Sequence, residues 1–435
     1  MAKHLIVMSV DAMVCEDLEQ LRQLPHFGRL LEEGSRVERV RSIYPTLTHP
    51  IHTTLLTGCY PDRTGVCNNE VFGPGNPSPR WINSLSEIRV DTILHAAKRA
   101  GMTTACSRWP VTANGGEVID YLVPEVMDAD LTGELPEVYR RLGSGPILEE
   151  IVLPNIGMLD GNRRPGYDAF EIKCAADILR RYRPNLLMVH PGLVDSTRHG
   201  NGLFNEKVDA ALRQVDEWLG WLMDAAGEAG IAGETSFVVL SDHGHLEYQR
   251  SVCLNAVLVD EGLIQLAPDG SVAGWDAWVQ SAGLSAQVYL RDPGDEALKN
   301  RVEALLHRLG ADGLYGFERI FTAEEAEREY HLGGGFSFVL ETDGFTSFED
   351  DWRRPVMRVN DDPDFRVGRP ARLRSNHGHL PEKGPQPPFL CMGPAFRRGV
   401  VLERGNIADE APTMAKALGL TLPEADGKAM EELLR

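Results

Sequence analysis

Acidic residues and imidazoles recur along this chain where short apolar runs end: Asp11 after Leu5-Ile-Val-Met-Ser-Val10, Asp195 with His199 beyond Asn185-Leu-Leu-Met-Val-His190, Asp242 with His243 in Ser236-Phe-Val-Val-Leu-Ser-Asp-His-Gly244, and His377 in Ser375-Asn-His-Gly-His379. Carboxylate oxygens and neutral imidazole nitrogens are the donors that hold zinc where thiolates are not used. Taken singly, each carries little weight, because an Asp after a strand is commonly a cap or turn residue and a lone His a satisfied polar group. A second concentration of chemistry is Tyr44-Pro-Thr-Leu-Thr-His-Pro-Ile-His-Thr-Thr-Leu-Leu-Thr-Gly-Cys-Tyr60, which sets hydroxyls and imidazoles between an extended entry and an apolar helical run. Thr48 is the working choice of nucleophile there, with Thr46 its competitor. An alcohol is almost fully protonated at neutral pH and attacks poorly unless a base or a metal activates it. Both threonines would serve equally as helix N-caps.

The elements that must position these residues alternate strand-like runs with amphipathic helices, the pattern of an α/β protein with a large, mostly parallel sheet. Leu5 to Val10 reads as the first strand, with Asp11 at its carboxyl end, where open α/β sheets place ligands. Helices are predicted from Leu18 to Glu33, Ile51 to Leu56, Asp91 to Ala100 and Asp168 to Arg181, and Val71 to Arg80 reads as a loop. The segment Pro191 to Gly200 reads as a polar loop after a buried strand. Val208, Leu212, Val215, Leu219 and Leu222 then recur at helical spacing and predict a helix over Asn205 to Ala229. Residues 283–357 change in texture and read as a small α+β insertion or cap subdomain, with 1–282 and 358–435 forming the main core.

The chain has 435 residues, 43% hydrophobic and 25% charged, ample for a large core, and a formal net charge of -20. That charge works against binding long nucleic acid through its phosphates. No run of about 18 apolar residues predicts a transmembrane helix, so neither a nucleic-acid polymer nor a membrane is an expected partner. The cysteines at 15, 59, 67, 106, 174, 253 and 391 are odd in number and lack CxxC spacing, which predicts free thiols in a reducing cytoplasm.

The order of the motifs is more specific than any one of them. Apolar strand-Asp11, Pro45-Thr-x-Thr-x-Pro-x-His52, Thr57-Gly-x-Tyr-Pro61, Gly65-Val-Cys-Asn-Asn69, Asp195-x-x-x-His199, Ser241-Asp-His-Gly244 and His377-Gly378 together resemble the nucleotide pyrophosphatase/phosphodiesterase branch of the alkaline phosphatase superfamily. The resemblance runs from Asp11 to Ala411-Pro-Thr-Met-Ala-Lys-Ala-Leu-Gly419 and is weakest in the insertion. It implies an alkaline phosphatase-like core and two divalent ions per chain, zinc first and manganese second. Asp195, His199 and His377 would hold one ion, and Asp11, Asp242, His243 and the Thr48 oxygen the other. It also implies a small anionic phosphoester substrate, cleaved through a phosphothreonine on Thr48. Asn69, 21 positions after Thr48, and the backbone N–H after Thr48 would donate to a nonbridging phosphoryl oxygen. Thr48 is preferred over Thr46 because it aligns with the family nucleophile and precedes Pro50.

Departures from the family bear on substrate. Nucleotide-cleaving members carry base-stacking aromatics at the positions that are His49 and His190 here, which makes these two the expected substrate contacts. Sulfatases need an oxidisable Cys or Ser and an Arg in the frame that reads Thr48-His-Pro-Ile-His52. Alkaline phosphatases proper clamp a monoester dianion with arginine, and none adjoins Thr48 in sequence. Phosphonoacetate hydrolases, the enzymatic alternative, use lysines for the substrate carboxylate; Lys98, Lys173 and Lys207 stand near motifs. A metal-dependent phosphate-ligand binding protein is the non-enzymatic alternative. His245 and His379 each follow a ligand motif by two positions and are expected to support ligands or touch substrate rather than ligate.

Overall fold

The computed structural model describes residues 2–161, 163–359 and 373–435. Its centre is an eight-stranded sheet in the spatial order Val401–Asn406, Ser35–Arg41, Phe389–Met392, Thr235–Leu240, His4–Ser9, Leu186–Val189, Thr104–Ser107, Tyr121–Val123. Every pairing is parallel except those of Phe389–Met392, which runs antiparallel to both neighbours, so the sheet is mixed.

Strand alternation builds two cores. Ile6 and Met8 point to one face with Leu187, Val189, Phe237 and Val239, under the helices Gly166–Tyr182 and Glu206–Glu228. Leu5 and Val7 point to the other with Leu186, Met188, Val238 and Leu240, against Ile51, Leu55 and Leu56 of the helix Thr48–Thr57 and Met414 of the helix Glu410–Ala417. With side chains leaving a strand alternately to either side, helices on both faces require the continuous apolar runs seen in the sequence.

Two sequence expectations change. The predicted helix Leu18 to Glu33 is two helices, Leu18–Leu21 and Pro25–Glu33. Pro25 has no N–H to continue the first helix and opens the second, where that donor would go unused. The predicted loop Pro191 to Gly200 carries a helix, Leu193–Asn201, capped by Gly192 and ended by Gly202 at φ 92°. Its brevity and its Ser196 and Thr197 hid it; their hydroxyls donate back to carbonyls of Gly192 and Leu193. A four-stranded antiparallel sheet holds Ser285–Leu290, Phe317–Thr322 and Phe338–Thr342 of the expected insertion together with Ala277–Ser281 as an edge strand, and the apolar core under it includes Leu254, Leu258 and Ile264.

The helix Leu193–Asn201 is anchored through Arg198, a fully buried guanidinium whose Nη2 donates to both carboxylate oxygens of buried Asp17, at 2.7 and 2.6 Å. Removing one member of a buried pair strands the other charge, at a cost of about 3–5 kcal/mol. Asp17→Asn is therefore expected to lose stability of that order in urea unfolding and to loosen the helix bearing Asp195 and His199. A loss below about 1 kcal/mol, the range of an exposed pair, would show that Arg198 is satisfied elsewhere.

Candidate active site

The sheet brings the acids together at its carboxyl edge. The register Ser9↔Leu240 places Asp11 and Asp242 beyond the ends of adjacent parallel strands. Ala12, at φ 59°, donates its N–H to Asp242 Oδ1 at 3.1 Å. A left-handed backbone at a non-glycine residue costs roughly 1 kcal/mol, and here it keeps the two acidic loops facing one another. His243 Nε2 lies 3.3 Å from Asp242 Oδ2 and 3.6 Å from Asp11 Oδ1. Both of those carboxylate oxygens are buried without a hydrogen-bond partner.

The second set gathers on the helix Leu193–Asn201. Asp195 and His199 are one turn apart and share a helix face. His199 Nε2 stands 3.2 Å from Asp195 Oδ1, and His377 Nε2 stands 3.8 Å from the same oxygen. His377 arrives through a short antiparallel pairing of Ser375–Asn376 with Leu246–Glu247. The same pairing brings in His245, whose Nε2 is 2.9 Å from Asp195 Oδ1, so a residue the sequence set aside as a supporting one lies among the donors. Asp195, His199, His245 and His377 form one group of closely spaced donor atoms, and Asp11, Asp242 and His243 another. The His243 and His377 rings stack at 3.8 Å and join the two.

Electrostatics fit cations at both. Burial, then the charges of Asp195 and Asp242, push Asp11 well above the usual carboxylate range, and burial also raises Asp242. Burial acts on Asp195 in the same direction, but the neighbouring His199 and His245 hold it well below. Burial lowers His243, His245 and His377 well below the ordinary imidazole value, which keeps them in the neutral, ligand-competent form. Unpartnered buried carboxylate oxygens beside neutral imidazoles are the donor chemistry of a divalent ion.

Thr48 opens the helix Thr48–Thr57, with Leu47 extended before it, and its half-buried Oγ1 is 3.3 Å from His243 Nε2. Thr46 is occupied differently. Its hydroxyl donates to the His379 carbonyl and accepts from Gly378 N–H, while its own carbonyl receives His377 Nδ1. Asn69 Oδ1 accepts the His49 N–H at 2.9 Å, which leaves the Nδ2 amide to donate elsewhere. The backbone donor expected for phosphoryl oxygen is thus engaged in orienting Asn69. His52 ties the helix to the first strand, with Nδ1 on the Thr48 carbonyl and Nε2 on Ser9 Oγ. Thr53 and Thr57 donate to carbonyls one turn back.

The two expected substrate contacts are placed otherwise. His49 and His190 are each 1% exposed. His49 Nε2 sits 3.0 Å from Glu125 Oε2, a partner from beyond the far edge strand that no local motif marks. His190 donates from Nδ1 to the Ser9 carbonyl, and its Nε2 is 3.3 Å from Asp11 Oδ2. Both are walls of the site rather than surfaces open to a base. Half-buried Trp81, which no motif marks, packs edge-on against His49 at 4.9 Å.

Residues 5–338 match the type I phosphodiesterase / nucleotide pyrophosphatase family. The chain belongs to that family. Among relatives, it is 27% identical over 241 residues to ectonucleotide pyrophosphatase/phosphodiesterase family member 1 of Rattus norvegicus, covering 54% of this chain and 23% of the other. It is 25% identical over 247 residues to venom phosphodiesterase 2 of Crotalus adamanteus, covering 55% and 26%. The chain thus spans about a quarter of the length of these relatives. The fold matches murine ectonucleotide pyrophosphatase / phosphodiesterase 5 at TM-score 0.67, with 19% identity over 99% of this chain and 100% of the other. It matches an inactive form of that murine protein in complex with AMP at TM-score 0.68, with 19% identity over the full length of both.

If these donor sets hold divalent ions, the ions stabilise the fold by mass action, by about 4 kcal/mol at a thousandfold excess over the dissociation constant. Protein stripped with a chelator is expected to melt at lower temperature and to recover on adding zinc or manganese. The recovery shrinks as pH is lowered, because protons compete at the raised Asp11 and Asp242. A Tm indifferent to chelator and metal would rule out an ion at either set.

Proposed function

We propose that the protein hydrolyses phosphodiester or phosphoanhydride bonds of small anionic substrates through a phosphothreonine on Thr48. The observation that carries this reading is the placement of Thr48 Oγ1: half-buried, at a helix N-terminus, and 3.3 Å from a histidine of the Asp11–Asp242–His243 set. Divalent ions held by the two donor sets would supply Lewis acidity, lowering the pKa of an attacking hydroxyl and offsetting charge on the leaving oxygen. The chain's own groups do the rest. Thr48 Oγ attacks phosphorus as the bond to the leaving oxygen breaks in line, and Asn69 Nδ2 donates to a nonbridging oxygen where negative charge builds up. Water then attacks the phosphothreonine from the opposite side and returns the Thr48 hydroxyl.

The surrounding cations favour a monoanionic diester. Arg108 and Arg164 reach this end of the sheet from distant positions, yet neither is left over for a phosphate dianion. Arg108 Nε is 3.0 Å from Glu171 Oε1, and both arginines pair with Asp168. The lysines that the phosphonoacetate reading requires also lie elsewhere: Lys98 pairs with Asp120, Lys173 with Asp177, and Lys207 with Asn201. AMP binding by the murine relative supports a nucleotide as one half of the diester. Trp81 then offers the aromatic face for its base.

Metal-loaded protein is expected to turn over bis-p-nitrophenyl phosphate faster than p-nitrophenyl phosphate. Thr48→Ala should lower that rate by about a thousandfold or more, as removal of a nucleophile does, with divalent ion still bound. Acid-quenched turnover should leave phosphate on the Thr48 peptide by mass spectrometry. Phosphonoacetate cleaved faster than the diester, or a Thr48→Ala variant with normal rate, would overturn the reading.

A further inference from the structure

We infer that His245 is a fourth protein ligand of the site built on Asp195, so that this site is a three-histidine, one-carboxylate set. The inference rests on the two-metal reading above and concerns which atoms complete one of its sites.

Hydrogen bonding behind the rings fixes the tautomers. His199 Nδ1 lies 2.8 Å from the Ser375 carbonyl, and His377 Nδ1 lies 2.8 Å from the Thr46 carbonyl. A carbonyl cannot donate, so the neutral form of either ring carries its proton on Nδ1 and presents a lone pair at Nε2. His245 Nδ1 is 2.9 Å from Ser375 Oγ, and that hydroxyl is also 2.8 Å from the Arg198 carbonyl. The hydroxyl has one proton. The contact with Arg198 requires that it donate there, and then the contact with His245 requires Nδ1–H to donate to Oγ. His245 therefore also presents an Nε2 lone pair.

Three lone pairs thus converge on one carboxylate oxygen, Asp195 Oδ1, at 2.9 Å from His245, 3.2 Å from His199 and 3.8 Å from His377. Acceptors facing one another at these distances repel unless a cation lies among them. The rings stand around that point at centroid separations of 4.4, 5.2 and 5.1 Å, tilted by 43 to 61°. His245 is the shortest of the three contacts and is fully buried, so it closes the inner side of the set.

The backbone explains how one turn serves both sites. A Cβ on Gly244 would come within 2.2 Å of the Pro385 carbonyl oxygen. Glycine there lets the chain pass beneath Pro385, leaving His243 with Asp11 and Asp242 and returning His245 to Asp195. Leu246–Glu247 then pairs with Ser375–Asn376, which fixes His245 against His377. Four protein ligands fill the tetrahedral complement of zinc, whereas the catalytic arrangement keeps one position open. With His245 the Asp195 group would offer an ion three imidazole nitrogens and one carboxylate, against the two carboxylates, one imidazole and Thr48 oxygen of the Asp11 group, and an imidazole-rich set would take a borderline ion first.

The test uses metal-free protein loaded with Co2+, read by visible absorption and by the hyperfine-shifted, exchangeable Nδ1–H resonances of coordinated imidazoles. One equivalent should fill the Asp195 site in the wild type and give one shifted N–H signal for each of the three histidines. His245→Ala should lose one signal and weaken that site by about 100-fold or more, at or beyond the cost of losing a supporting group. His245→Gln separates the roles, because its amide can still donate to Asp195 but replaces imidazole poorly as a ligand. The assignment expects Gln to be as weak as Ala, with circular dichroism showing both variants folded. Full affinity in His245→Gln, or an unchanged number of shifted signals in either variant, would overturn it and make His245 a positioning residue. A wild type that takes up no cobalt would instead remove the two-metal reading and this assignment with it.

Discussion

The structure turns on the confinement of three carboxylates, Asp11, Asp195 and Asp242, within one buried region at the carboxyl edge of the sheet. Like charges this close in a medium of low effective dielectric repel by several kcal/mol, and burial adds to the cost of ionising each. Protons or cations are the only relief. The imidazoles around them are held neutral by burial, so they add lone pairs rather than positive charge. The backbone also accommodates the arrangement: the left-handed Ala12 gives its N–H to Asp242, leaving Oδ2 of that residue and Oδ1 of Asp11 without partners. Buried carboxylate oxygens left without a hydrogen bond are the donors a cation would use.

The parts legible in the sequence were those that residue type and strand period determine. Apolar runs before Asp11 and Asp242 identified buried strands, and carboxylates and imidazoles at their ends identified donors. What stayed hidden depended on partners far away along the chain. His49 and His190 stand where the family carries base-stacking aromatics, which marks them as substrate contacts in the sequence; in the fold His49 meets Glu125, from the loop after Tyr121–Val123, and His190 meets Ser9 and Asp11. The helix Leu193–Asn201 was hidden because glycine, serine and threonine obscure its period, although the four-residue spacing of Asp195 and His199 was in view. His245 follows a ligand motif by two positions and so reads as a supporting residue in the sequence; the turn at Gly244 brings it within 2.9 Å of Asp195 Oδ1.

The polar cluster of Arg108, Arg164, Glu125, Asp168 and Glu171 extends the same logic outward. Burial pushes Glu171 well above the usual range, whereas the His49 imidazole and its hydrogen bond hold Glu125 below it despite burial. Arg108, at φ 54°, is held with its guanidinium over the Tyr167 ring at 4.8 Å and against these acids. A basic residue so bound acts on the site through its field, lowering Asp11 from a distance, and is not available to clamp a ligand.

The segment Tyr44 to Thr48 sets the separation between the two donor sets. Thr46 holds His377, and with it the Asp195 set, through its carbonyl and hydroxyl. Two residues later, the Thr48 carbonyl holds His52, which reaches Ser9 on the strand that ends at Asp11. One short stretch of backbone therefore touches both sets, and the stacked rings of His243 and His377 brace them from the opposite side. Sets fixed in this way cannot drift apart independently. In an in-line displacement the attacking and leaving oxygens lie on opposite sides of phosphorus, and a rigid spacing between the groups that stabilise them favours that extended transition state over the more compact ground state. The hydroxyl proposed to attack belongs to the same segment that fixes the spacing, so on that reading nucleophile position and site separation are one structural variable.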